Sequence, residues 1–119
     1  MHTRKLGLLD KKEIQSAMKL LSIQCHHIAE EKGFWNKTRN QGELIALMHS
    51  ELSEALEYLR HGNPLSDHIP EFTGVEEELA DLIIRVMDMA GAYGYRIPEA
   101  IIAKLEFNAT REHMHGKKF

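Results

Sequence analysis

The sequence predicts an all-α protein of four helices, and three observations carry that prediction. Apolar residues recur with a 3.6-residue period in four segments, glycine or proline separates the segments, and no strand-like alternation competes. The first helix is expected over about residues 11–32, with Asp10 and Glu13 as an acidic capping box and Gly33 as the stop. Its apolar stripe is Ile14, Ala17, Met18, Leu21, Cys25, Ile28 and Ala29. The second is expected over about 41–61, closed by Gly62 and Pro64. The third opens at Thr73, with Glu76 completing a capping box, and ends at Gly94. The fourth has Pro98 in its first turn, where a missing N–H costs little, and fades after Glu112. The short link over 95–97 makes helices three and four antiparallel neighbours. The stretch 61–72 carries two prolines and reads as a long, mobile surface connection.

A length of 119 residues fits one domain with a modest core. The 43% apolar and 28% charged content is that of a globular chain and argues against disorder. A net charge of −3 gives no bulk attraction for a nucleic-acid polymer or an anionic membrane, although a small phosphorylated ligand stays open. No apolar run approaches the roughly 20 residues of a membrane span, and no signal-peptide core stands at the N-terminus. The single cysteine, Cys25, cannot form an internal disulfide and fits a reducing cytoplasm.

The chemistry-bearing feature is a pair of acidic pairs, Glu51-Leu52-Ser53-Glu54 on helix two and Glu78-Leu79-Ala80-Asp81 on helix three. A spacing of three puts both carboxylates of a pair on one helix face. Two such faces together make a four-carboxylate cluster, which needs protons or cations and suits Mg²⁺ or Mn²⁺. Solvated helix faces carry the same spacing often, so the faces must be weighed. On helix three, Glu78, Asp81, Arg85 and Asp88 share the only polar side, a pattern compatible with plain solvent exposure. On helix two, Glu51 projects inside the stripe of Leu44, Leu47, Met48, Leu52, Ala55, Tyr58 and Leu59, with Glu54 at its edge. A carboxylate facing a core needs a paired charge or a metal.

Helix four adds a basic line, Lys104, Asn108 and Arg111, continued by His115. Such residues near a helix C-terminus favour the dipole, and beside a metal cluster they suit phosphate oxygens. Trp35, the only tryptophan, follows Phe34 in the loop before helix two; it can plug the bundle end or stack on a nucleobase. His26 and His27 face different directions and cannot form a one-face metal pair, and the remaining histidines read as surface residues.

Taken together these features resemble the MazG-type all-α nucleotide pyrophosphohydrolases, a family with relatives acting on dCTP and dUTP. The signature Glu-x-x-Glu, spacer, Glu-x-x-Asp is matched by Glu51, Glu54, Glu78 and Asp81. His26 through Trp35 resembles the end of the family's first helix, and Lys104-x-x-x-Asn108-x-x-Arg111 its final-helix motif. Two departures bear on substrate preference: Ser50 stands where many members carry a further glutamate, and Arg85 where some dCTP-directed relatives have an aromatic residue. The resemblance implies Mg²⁺-dependent hydrolysis of a nucleoside triphosphate to monophosphate and pyrophosphate, in a dimer or tetramer. In that reading Glu51, Glu54, Glu78 and Asp81 hold the metal, and Glu51 or Glu54 orients the attacking water. Lys104, Asn108 and Arg111 hold phosphate, while Trp35 and His26 contact the base.

Two other readings compete. A non-catalytic helical interaction domain would use the acidic faces to bind a basic partner, against which the inward Glu51 argues. A ferritin-like di-iron protein needs Glu-x-x-His twice within the bundle, and only Glu112 to His115 fits. Helix three also carries an apolar arc of roughly 220°, wider than the ~100° stripe of a one-sided helix, so an obligate homo-oligomer is expected.

Overall fold

The computed structural model describes residues 6–119 and is all-α, in the order α1 (Leu8–Glu31), α2 (Gln41–Arg60), α3 (Gly74–Tyr93) and α4 (Ile97–Ala109), with a short 3₁₀ turn at His113–Gly116. The helix limits follow the expected signals, with two differences. Asp10 is not the cap of α1: the helix begins earlier, after Gly7, and the Asp10 carboxylate accepts from the Gly7 N–H. Helix α4 ends at Ala109, three residues before Glu112, where the Thr110 hydroxyl donates to the Phe107 carbonyl. Thr73 and Glu76 form the expected capping box, and Gly94, at φ 69°, closes α3 in the left-handed region. Asn40 caps α2 by accepting from the Glu43 N–H.

Helix α3 is the central element, packed against α1 and α2, while α4 packs on α1 rather than on α3 as its expected antiparallel neighbour. Two glycines on α3 permit these approaches. A Cβ at Gly91 would lie 2.9 Å from the His26 Cβ and 3.2 Å from the Ser22 carbonyl, and one at Gly74 would overlap the Tyr58 ring. Ser22, buried on α1, donates through Oγ to the Met87 carbonyl at 2.7 Å and secures the α1–α3 contact.

The polar side of α3 does not face solvent. Glu78 is 7% exposed, and the Asp88 side chain 14%, because α1 and α2 flank this side. The wet side is instead apolar: Leu79 and Ile83 are 42 and 51% exposed. On α2, Leu52, Leu56 and Leu59 are exposed in the same way, although the sequence stripe placed Leu52 and Leu59 inward. The connection over 61–73 leaves these residues uncovered. It is also anchored, unlike the mobile loop expected. Ser66, 2% exposed, accepts from the His68 and Ile69 N–H groups and donates to Glu77, while Leu65 bridges Thr73.

Among the described residues no helix is long and apolar enough to cross a membrane.

Candidate functional site

Helices α2 and α3 bring their acidic pairs together. Leu44, Glu51 and Ala55 form the buried face of α2, so Glu51 points inward between apolar residues, as its helical phase requires. Glu78 faces it from α3 and is equally buried. Glu54 joins them from the exposed edge of α2; ligand-capable oxygens of Glu51, Glu54 and Glu78 all lie within 4.8 Å of one another.

Asp81 belongs to a second set. Its carboxylate groups with Glu77 and Glu78 within the same 4.8 Å limit, so Glu78 is the shared member of two triads. Glu77 was not singled out from the sequence, because nothing in its spacing separates it from an ordinary first-turn acid. It also has other work: its two oxygens take the Ser66 hydroxyl at 2.6 Å and the His68 ring nitrogen at 2.7 Å.

Burial and mutual repulsion set the protonation of the cluster. Burial first, and then the carboxylates of Glu51 and Glu54, push Glu78 up to about 8. Asp81 is raised by burial and by the charges of Glu51 and Glu77, against an opposing pull from Arg85. Burial would raise Glu51 too, but interaction with the Glu78 carboxyl and with Arg85 outweighs it and holds Glu51 below its usual value. Arg85, one turn beyond Asp81, donates through Nε to Oε1 of Glu51 at 2.9 Å. That ion pair is the counter-charge that the inward Glu51 demanded, and it satisfies only half of the carboxylate. Oε2 of Glu51 and Oε2 of Glu78 are buried, and no N–H or alcohol hydroxyl donates to either.

Two cavities flank the cluster. One of about 490 Å³ lies between α1 and α3 and is lined by Glu51, Asp81, Arg85 and Asp88, by Phe34 and Arg39 from the loop before α2, and by apolar residues of α1. The other, about 500 Å³, is lined by Glu54, Tyr58 and Glu78 with Glu57, His61 and Pro64.

Trp35 and His26 meet near the first cavity, at Asp88. The indole Nε1 donates to both Asp88 oxygens, at 2.9 and 3.2 Å, and His26 Nδ1 lies 2.8 Å from Oδ1. The rings of His26 and Tyr93 meet Trp35 edge to face, and the Arg39 guanidinium lies 5.3 Å from the indole centroid. Trp35 is thus fixed by Asp88, with the Arg39 guanidinium over its ring. Asp88 is the organising residue of this corner, and its place on the inward polar side of α3 was the signal for it.

The basic line of α4 lies elsewhere in the chain. Neither cavity is lined by Lys104, Asn108 or Arg111, and Lys104 and Arg111 sit over the Phe107 ring at 4.6 and 5.5 Å. The class defined by fold and site is therefore an all-α protein with a buried carboxylate cluster between two helices. Comparison with protein-family models, curated proteins and solved structures gives no significant match to this chain.

Proposed function

We propose that the protein is a metal-dependent nucleoside-triphosphate pyrophosphohydrolase of MazG-like type, converting a (deoxy)nucleoside triphosphate to monophosphate and pyrophosphate. The observation that carries this reading is the facing pair Glu51 and Glu78, each with a buried oxygen that no N–H or alcohol hydroxyl reaches. A buried acceptor left unsatisfied is costly, and an all-oxygen donor set suits a hard divalent cation such as Mg²⁺ or Mn²⁺. Glu51, Glu54 and Glu78, with Asp81 beside them, would hold it. When bound, the ion supplies neutralising charge for phosphate oxygens and lowers the pKa of a coordinated water.

The chain's own residues have distinct tasks in this mechanism. Glu51 is engaged by Arg85, whereas Glu54 stands at the exposed edge of the cluster with no ion pair among the described residues. Glu54 is therefore the better placed of the two to orient the attacking water and take its proton. Water oxygen bonds to the α-phosphorus, the bond from that phosphorus to the bridging oxygen breaks, and pyrophosphate leaves. Trp35 and His26 would meet the base at the Asp88 end of the first cavity. Lys104, Asn108 and Arg111 would serve the phosphates from the α4 of a second copy, since this chain's α4 packs on α1. The expected setting is cytoplasmic clearance of unwanted nucleotides by a homo-oligomer.

A screen of nucleoside triphosphates with Mg²⁺ tests the proposal, reading pyrophosphate against orthophosphate. Metal-dependent release of pyrophosphate with monophosphate is the expected result. Diphosphate with orthophosphate would reject attack at the α-phosphorus, and no turnover of any triphosphate would leave the acidic faces as a binding surface for a basic partner.

A further inference from the structure

We infer that Arg85 is the anion-binding group of the first cavity: its Nε holds Glu51 while its two terminal nitrogens bind the phosphate of an incoming nucleotide. The inference deepens the proposed function and rests on it for the identity of the anion.

A guanidinium offers five N–H donors in a planar fork. Arg85 uses only Nε in the structure, side-on to Oε1 of Glu51. Nη1 and Nη2 have no hydrogen-bond partner among the described residues, and the residue lines the 490 Å³ cavity. The Arg85 side chain is 36% exposed and that of Glu51 only 8%, so the pair is graded from core to cavity. The inner end is held by the buried carboxylate, and the outer end is left for a ligand.

The charges around it fit this use. Asp81 lies one turn before Arg85 and also lines the cavity, with Arg39 and Lys32 contributing further positive charge. A bare phosphate would be repelled by Glu51 and Asp81, whereas a phosphate carried in with a divalent cation meets acids on the metal side and a guanidinium fork on the other. Planar two-point recognition of phosphate is the task for which arginine, rather than lysine, is suited. Arg85 also competes with a cation for Glu51, since a positive charge already lies 2.9 Å from one of its oxygens. Removing the guanidinium should therefore tighten metal binding while loosening anion binding. A purely structural ion pair would lose both together.

Calorimetry on the full chain decides the matter, with Mn²⁺ alone as one probe and inorganic triphosphate in saturating Mn²⁺ as the other. For Arg85→Gln, Mn²⁺ affinity is expected to rise about threefold or more and triphosphate affinity to fall about tenfold or more. Arg85→Lys keeps a charge beside Glu51 but loses the fork. It should stay folded by circular dichroism, bind Mn²⁺ as the parent does, and lose triphosphate affinity about fivefold. If the glutamine variant unfolds, the lysine variant carries the test alone. Triphosphate binding unchanged in the folded variants, or a parallel loss of both ligands, would overturn the role of Arg85. A parent protein that binds Mn²⁺ but no triphosphate would do so as well, leaving the metal centre intact. A parent that binds no Mn²⁺ would overturn the functional proposal itself.

Discussion

Oε2 of Glu51 on α2 and Oε2 of Glu78 on α3 are both buried, and no N–H or alcohol hydroxyl donates to either. Without a cation the pair is tolerated because Glu78, with a pKa near 8, keeps its proton at neutral pH and shares it with Glu51. Between its ordinary 4.5 and about 8, the folded chain binds a proton that the unfolded chain has released. The unfolded state then binds fewer protons, so the stability of the metal-free protein falls as pH rises through that window and levels off above it. The raised Asp81 acts in the same direction. Glu51, whose value is lowered, contributes stability that disappears only below this window, as pH falls through its folded value. Calorimetric melting in EDTA should therefore give a lower Tm at pH 8 than at pH 5.5, by several degrees. Added Mg²⁺ should raise Tm by mass action, more at pH 8 than at pH 5.5. A Tm that does not move with pH or Mg²⁺ would remove the cluster from the mechanism.

Replacing single members separates charge from ligation. In Glu78→Gln the neutral form becomes permanent, so the pH-dependent loss of stability should shrink and the Mg²⁺-induced rise in Tm should vanish. Turnover should fall about 100-fold or more, since loss of even an outer-shell partner of a metal ligand typically costs about 10–100-fold. Glu51→Gln should be equally inactive but less stable than Glu78→Gln, because it leaves the Arg85 guanidinium without its partner. Urea titration of the two variants, together with a pyrophosphate assay, checks the order. Full activity in either variant or in excess EDTA would reject metal-dependent chemistry here.

The corner at Asp88 makes a different prediction. Asp88→Ala removes the acceptor of the Trp35 indole N–H and of His26 together. A fully buried donor left unsatisfied costs about 1–3 kcal/mol, and the part-buried indole N–H should cost toward the low end of that range. The fluorescence of Trp35, the only indole in the chain, should report its release into a wetter setting. Urea denaturation gives the energy, and an emission spectrum identical to that of the parent would mean that ring packing alone holds the indole.

Most of the fold was legible because its signals are local. Thr73 and Glu76 bracket the start of α3, and Gly94 ends it. Three of the four spaced acids, Glu51, Glu54 and Glu78, come together, while Asp81 groups with Glu77 and Glu78 instead. The orientation of α3 was not legible in the same way. Its polar side looked ready for water, and periodicity alone cannot say whether a strip of Glu78, Asp81, Arg85 and Asp88 faces solvent or a site between two helices. The position of α4 was misread: the short link over 95–97 made it an antiparallel neighbour of α3, whereas the turn after Gly94 carries it onto α1. Glu77 escaped notice because its partners Ser66 and His68 come from the preceding connection, which carries no periodic pattern.

The apolar outer faces of α2 and α3 call for a partner to cover them. Leu52, Leu56 and Leu59 on one helix and Leu79 and Ile83 on the other are exposed, and the anchored connection over 61–73 leaves them so. The chain is also extended for its size. Its radius of gyration is 16.9 Å, against about 13.5 Å for a compact domain of this length. Its accessible surface is 9279 Å², against about 6,600 Å² for a folded monomer of the same mass. That surplus exceeds the ~800 Å² per partner of an ordinary stable interface. We expect light scattering at micromolar concentration to give an integral multiple of 13.7 kDa, two or more. Ile83→Asp, which places a charge in the middle of the uncovered face, should dissociate the assembly and lower Tm. If a second copy also supplies the Lys104–Asn108–Arg111 line, mixing inactive Glu51→Gln with weakened Lys104→Ala should restore part of the turnover, because one site in each mixed pair then keeps both halves. A mass of 13.7 kDa for the parent would show that the monomer tolerates its wet leucines, and absent complementation in a mixed oligomer would return the basic line to an ordinary helix terminus.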